Sequence, residues 1–151
     1  MANLHEYPVR VNWTGGRDGH GEVISERSGT KNTISVPPEF QGPGAGTNPE
    51  ELLASAIASC YSITLGIIAL NQKLPVQHVE TEAIGTVEQA GMSFNYKAVV
   101  LKPTITVSGD ADDATIQKLH DVAHKADSYC IITNAVRDKV SITVEPNIVK
   151  G

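Results

Sequence analysis

The stretch Asn48-Pro49-Glu50-Glu51-Leu52-Leu53-Ala54-Ser55-Ala56-Ile57-Ala58-Ser59-Cys60-Tyr61-Ser62-Ile63-Thr64-Leu65-Gly66-Ile67-Ile68-Ala69-Leu70 decides the fold. Asn48 is a good helix N-cap, Pro49 suits the first helical position, and Glu50 and Glu51 favour the positive end of the helix dipole. Glu51, three residues after Asn48, completes a capping-box pattern. The spacing predicts a helix to about Leu70, ending near Asn71, with Pro75 as a stop. No charge occurs from Leu52 to Leu70, a length that would span a bilayer. Ser55, Ser59, Ser62 and Thr64, the small alanines and the lack of a basic cluster at either end argue against that. A helix apolar all round also suits the centre of a soluble domain, and that is the expectation here.

Working outward, Tyr7 to Trp13 alternates β-favouring residues. Gly15-Gly16-Arg17-Asp18-Gly19 then reads as a hairpin turn returning through 21–27. A short strand is expected over 33–36, stopped by Pro37-Pro38, and the loop Gln41 to Gly46 is too rich in glycine and proline for regular structure. After the helix, strands are expected over 76–89 and 93–107, joined at Ala90-Gly91. A second helix follows, from Asp112 or Asp113 to about Ala126. Ser128 is the expected cap of a short helical piece carrying Cys130, and 139–145 the last strand. The order β-β-β-α-β-β-α-β argues an α+β fold, with antiparallel sheets around the long apolar helix and one domain over residues 1–151.

The net charge of −5 is spread through the chain without a basic stripe, so nucleic acid is not an expected partner. Met1 to Glu6 lacks the basic-then-apolar layout of a signal peptide, so a cytoplasmic, reducing compartment is expected. Cys60 and Cys130 are the two cysteines of the chain. They cannot make a tetrahedral zinc site alone. They are either buried, inert thiols or a pair that works together.

Cys60 sits mid-helix, beyond reach of the dipole at either end of that helix, and apolar surroundings alone would raise its pKa. A working thiol there calls for a cation from elsewhere, and Arg17 in the glycine turn is the best candidate. Glu50 is either a dipole-compensating charge or a site residue. It stands ~15 Å from Cys60 along a continuous helix, so a shared site calls for a second copy of the helix or a break. His120 and His124, at i and i+4, have zinc-ligand spacing. The residue after the first histidine is Asp121 rather than glutamate, and no third ligand is apparent, so two surface histidines are the plainer reading.

The run Gly42-Pro43-Gly44-Ala45-Gly46-Thr47-Asn48-Pro49-Glu50-Glu51-Leu52, leading to Ala58-Ser59-Cys60, resembles the signature of the OsmC/Ohr family. The Gly15–Gly19 turn is similar to that of its Ohr branch, the organic hydroperoxide resistance proteins. The resemblance implies an OsmC-like fold in an intertwined homodimer, and a thiol peroxidase that reduces alkyl or lipid hydroperoxides without a cofactor or metal. It implies Cys60 as peroxidatic thiol and Cys130 as resolving thiol. Arg17 and Glu50 would organise thiolate and substrate, with a lipoyl-type dithiol as reductant. The segment after Cys130 departs from the pattern. Proline, an aromatic or aliphatic residue and serine are common there, whereas this chain has Ile131, Ile132 and Thr133. A divergent OsmC-like stress or binding protein with inert thiols is the alternative.

Overall fold

The computed structural model of the chain describes residues 2–151, which divide into two compact units, one ending at Leu52 and one spanning Leu53–Gly151.

In the first unit, β1 (Val9–Thr14), β2 (His20–Ser25) and β3 (Thr30–Ile34) form an antiparallel sheet in sequence order. Thr14 pairs with His20 across the expected turn. Gly15 takes a φ of 99°, and the Gly19 N–H donates to the Gly16 carbonyl at 2.9 Å. A Cβ on Gly19 would stand 2.4 Å from the Thr14 carbonyl oxygen, so the turn needs glycine there. The third strand begins three residues earlier than expected and ends two earlier. The loop that follows is tied back to it, because the Thr47 N–H donates to Thr33 O at 2.9 Å and the Ser35 N–H to Thr47 O at 3.0 Å. Those bonds fix the residue just before the helix cap.

Helix α1 spans Pro49–Asn71. Its capping box is formed: the Glu51 N–H donates to Asn48 Oδ1 at 2.9 Å, and the Asn48 amide reaches Glu51 Oε1 at 3.4 Å. By length and composition α1 would be able to cross a membrane. Its buried residues Ile57, Tyr61, Leu65 and Ala69 repeat every fourth position, which is one helix face.

In the second unit, β4 (Val76–Ala90) and β5 (Ser93–Val107) make a long antiparallel hairpin turning at Gly91, whose φ is 62°. Strands β6 (Ser141–Val144) and β7 (Asn147–Lys150) both run parallel to β5, one after the other along the same neighbour. The second sheet is therefore mixed, where antiparallel sheets alone were expected, and the expected last strand is the first of two. Pro146 has no N–H to give the ladder and lies at the break, while the Glu145 N–H still reaches Leu101 O at 2.8 Å. Helix α2 (Asp113–Ala126) is capped by Asp112, whose Oδ1 accepts from the Thr115 N–H at 2.8 Å. The core joins Ile57, Tyr61 and Leu65 of α1 to Val99, Leu101 and Ile105 of β5 and to Leu119 and Ala123 of α2. Across α1 from that stripe, Ile63, Ile67 and Leu70 are 63%, 55% and 77% exposed.

Candidate redox site at Cys60 and Cys130

Tyr61 fixes the rotation of α1. Its hydroxyl donates to the Ala123 carbonyl of α2 at 2.6 Å in the buried core. Burial, with the Asp127 charge adding to it, pushes the Tyr61 phenol far above its ordinary range, so it stays a donor. With Tyr61 turned into the core, Cys60 comes to the edge of the buried stripe, where it is half-buried. There it meets the segment that follows α2.

That segment is built for a sharp change of direction. One 3₁₀ turn, Asp127–Tyr129, follows α2; Cys130 is extended, with φ −77° and ψ 115°; then α3 runs Ile131–Val136. Arg137 clamps the base of the segment, donating to Asp127 Oδ2 at 3.1 Å and to Asp127 O at 2.9 Å. Ser128 is not the cap that was expected: its hydroxyl points backward and donates to Lys125 O at 2.7 Å. The cap of α3 is Cys130 itself, whose Sγ accepts from the Thr133 N–H at 3.3 Å. Cys130 is buried, at 0% exposure.

Each of the two thiols acts on the other, and their environments pull them apart. Burial pushes the Cys60 thiol up. Against it stand the Cys130 thiol, the backbone N–H groups of Ile132 and Ile131, and the Thr64 hydroxyl, all hydrogen-bonded to the Cys60 sulfur, and the balance lies below the ordinary thiol value. Cys130 goes the other way: burial and the Cys60 sulfur beside it raise its thiol, outweighing the help from Thr133. The surroundings thus favour ionisation of Cys60 over that of Cys130. The influences that lower the Cys60 thiol here are neutral groups of the second unit.

Arg17 and Glu50 belong to the first unit. Arg17 is exposed at the tip of the glycine turn, and Glu50 stands in the first turn of α1. Glu50 also lines an apolar groove of about 380 Å³ with Val11, Trp13, Ile34 and Phe40. Of the four residues predicted from sequence, the second unit brings Cys60 and Cys130 together. Thr64 was missed, although it lies one helical turn beyond Cys60 on the same face and the spacing alone was a signal. The Ile131 and Ile132 amides carry no side-chain signature. His120 and His124 lie on α2, and among the described residues no group of three or more His, Cys, Asp or Glu comes together.

The profile of OsmC-like proteins matches residues 42–145, a span that takes in both cysteines. The chain belongs to the OsmC/Ohr family. Like this OsmC/Ohr chain in sequence is YmaD of Bacillus subtilis, an uncharacterized protein, 34% identical over 100% of this chain and 99% of its own. The organic hydroperoxide resistance protein of Xanthomonas axonopodis pv. citri is 31% identical, over 91% of this chain and 92% of its own. In fold, the OsmC-like protein VCA0330 of Vibrio cholerae superposes with a TM-score of 0.80 at 24% identity, over 95% of this chain and 99% of that one. The α+β, OsmC-like fold expected of this family member is the fold it has.

Proposed function

We propose that the protein is a cysteine-based peroxidase that reduces organic hydroperoxides, with Cys60 as the attacking thiol and Cys130 as the resolving one. What supports this reading is the pairing of the two thiols in the second unit, with the Cys60 thiol drawn below and the Cys130 thiol pushed above its ordinary value by their surroundings. The thiolate, not the thiol, is the nucleophile. Relatives named for organic hydroperoxide resistance support the substrate class.

In the first step the Cys60 thiolate attacks the distal oxygen of ROOH. An S–O bond forms, the O–O bond breaks, and the alkoxide leaves and takes a proton to become the alcohol. Cys60 is now a sulfenic acid. The neighbouring Cys130 sulfur attacks it, forming the Cys60–Cys130 disulfide and releasing water, before further oxidation proceeds. A dithiol then opens the disulfide by exchange, returning both thiols and leaving as its own disulfide. A lipoyl-type dithiol is the proposed donor. Arg17 and Glu50 take the roles that the resemblance assigns them, organising thiolate and peroxide. Alkyl and lipid peroxides, rather than hydrogen peroxide, are the proposed substrates, in line with relatives named for organic hydroperoxide resistance. No cofactor or metal is needed for any step. The proposed setting is a cytoplasmic homodimer.

The test is a hydroperoxide assay with a dithiol reductant. Cys60→Ser should abolish turnover, because the first step needs that sulfur. Cys130→Ser should permit a single turnover and leave Cys60 as sulfenic or sulfinic acid. Normal turnover by Cys60→Ser would reverse or remove the assignment of the two thiols.

A further inference from the structure

Cys130 is tied through its backbone to two residues that a third holds together. Its N–H donates to Asp127 O at 3.3 Å, and its carbonyl accepts from the Asn134 N–H at 3.0 Å. Arg137 reaches both of those residues. Its Nη1 donates to Asp127 Oδ2 at 3.1 Å, and its Nη2 to Asp127 O and to Asn134 Oδ1, each at 2.9 Å. Its Nε donates to Asn134 Oδ1 as well, at 3.1 Å. The Asn134 amide then closes the ring by donating to Ser128 O at 3.1 Å. Arg137 is the C-cap of α3 and Asp127 that of α2, so one guanidinium joins the ends of two helices across the bend that carries Cys130.

We propose that Arg137 is a positioning residue of the redox pair: by joining Asp127 to Asn134 it holds Cys130 in the place from which its sulfur closes on Cys60. This rests on the proposed role of Cys130 as the resolving thiol. Cys130 needs such a hold. It is extended between a 3₁₀ turn and α3, and the six residues of α3 are too few to keep a helix by themselves. A disulfide closes more readily between thiols already ordered for it than between thiols that must first be brought into place. Asp127 depends on the same arginine, since among the described residues its second carboxylate oxygen, Oδ1, is buried without a hydrogen-bond partner.

The shape of the guanidinium matters here more than its charge. The Arg137 side chain is 42% exposed, so the ion pair with Asp127 contributes little by attraction alone. Its planar fork is what fixes Asp127 O, Asp127 Oδ2 and Asn134 Oδ1 relative to one another, and a lysine ammonium does not reproduce that fork. Arg137→Met keeps an unbranched stem and deletes the fork. Arg137→Lys keeps the charge and deletes the fork, which separates the two roles.

The experiment equilibrates the full chain with mixtures of glutathione and its disulfide, quenches in acid and weighs the chain. The Cys60–Cys130 disulfide forms as one glutathione disulfide is reduced to two glutathione thiols. Arg137→Met should move that equilibrium constant toward the dithiol by about fivefold, the scale of a few partly exposed hydrogen bonds from a charged group. Arg137→Lys should move it the same way, since charge without the fork does not restore the hold. Circular dichroism establishes that the variants are folded. Should Arg137→Met not fold, Asn134→Ala, at an exposed position, breaks the same ring and should shift the equilibrium in the same direction. A folded Arg137→Met with the wild-type equilibrium, or one moved toward the disulfide, would overturn the proposal, and so would full rescue by Arg137→Lys. The oxidant is glutathione disulfide and not a hydroperoxide. A chain whose equilibrium shifts as expected but which leaves hydroperoxides intact would therefore refute the proposed function and leave this inference standing.

Discussion

At Cys60, burial opposes ionisation, and the Cys130 thiol, two amides and the Thr64 hydroxyl oppose burial and prevail; at Cys130 the same partner sulfur works against ionisation. The sign for reactivity follows from which form reacts. As pH rises through the Cys60 midpoint the thiolate fraction grows, and that midpoint lies below the ordinary thiol value while that of Cys130 lies above it. We predict that limiting iodoacetamide near pH 7 labels Cys60 ahead of Cys130, and that Cys60 labelling declines as pH falls. Equal labelling of the two peptides would contradict the asymmetry. Both cysteines were named from the sequence, and Arg17 and Glu50 were assigned to the site through the family signature alone. The donors that tune Cys60 were not, because two of them are backbone groups of isoleucines. An amide becomes chemically informative only once a chain reversal aims it.

The helix α1 was the most legible element, since its start is written in Asn48, Pro49 and Glu51 and the formed capping box matches. Which of its faces turns inward was not legible, because Leu52 to Leu70 is apolar or small all round. The Tyr61 hydroxyl makes that choice through its bond to Ala123 O. Tyr61→Phe would leave that buried carbonyl without its donor at a cost of about 1–3 kcal/mol. We expect a lower midpoint of urea unfolding at fixed protein concentration, with no change in the slope. A midpoint equal to wild type would show that the bond does not hold α1. Helix α3 and strand β7 were misread for a different reason. Six residues and four residues are too few to show a period, and Pro146 hides the fact that 141–150 continues along one neighbour. The parallel direction of both strands follows from the α2–α3 connection, a long-range feature that alternation within a strand does not encode.

At the scale of the molecule, apolar surface remains to be covered. Ile63, Ile67 and Leu70 are exposed along one side of α1, and Val9, Val11 and Trp13 are exposed on β1. A second copy of the chain is the proposed cover, consistent with the ~15 Å between Glu50 and Cys60 along α1, which one straight helix does not close. Sedimentation at low concentration should show a homodimer, and a stable, fully active monomer would defeat this. If Glu50 acts on the partner's Cys60, mixing Cys60→Ser chains with Glu50→Ala chains should restore part of the activity. Composition conveyed that α1 is apolar all round, while a partner for its exposed side is not written along one chain. The central claim, that this thiol pair reduces organic hydroperoxides, is tested most directly by adding one equivalent of an alkyl hydroperoxide to the reduced protein without reductant, then counting free thiols and weighing the intact chain. Both thiols should disappear together, the chain should lose two hydrogens in mass with Cys60 and Cys130 joined, and one alcohol should appear per chain; hydroperoxide left intact beside two free thiols would contradict peroxidase activity.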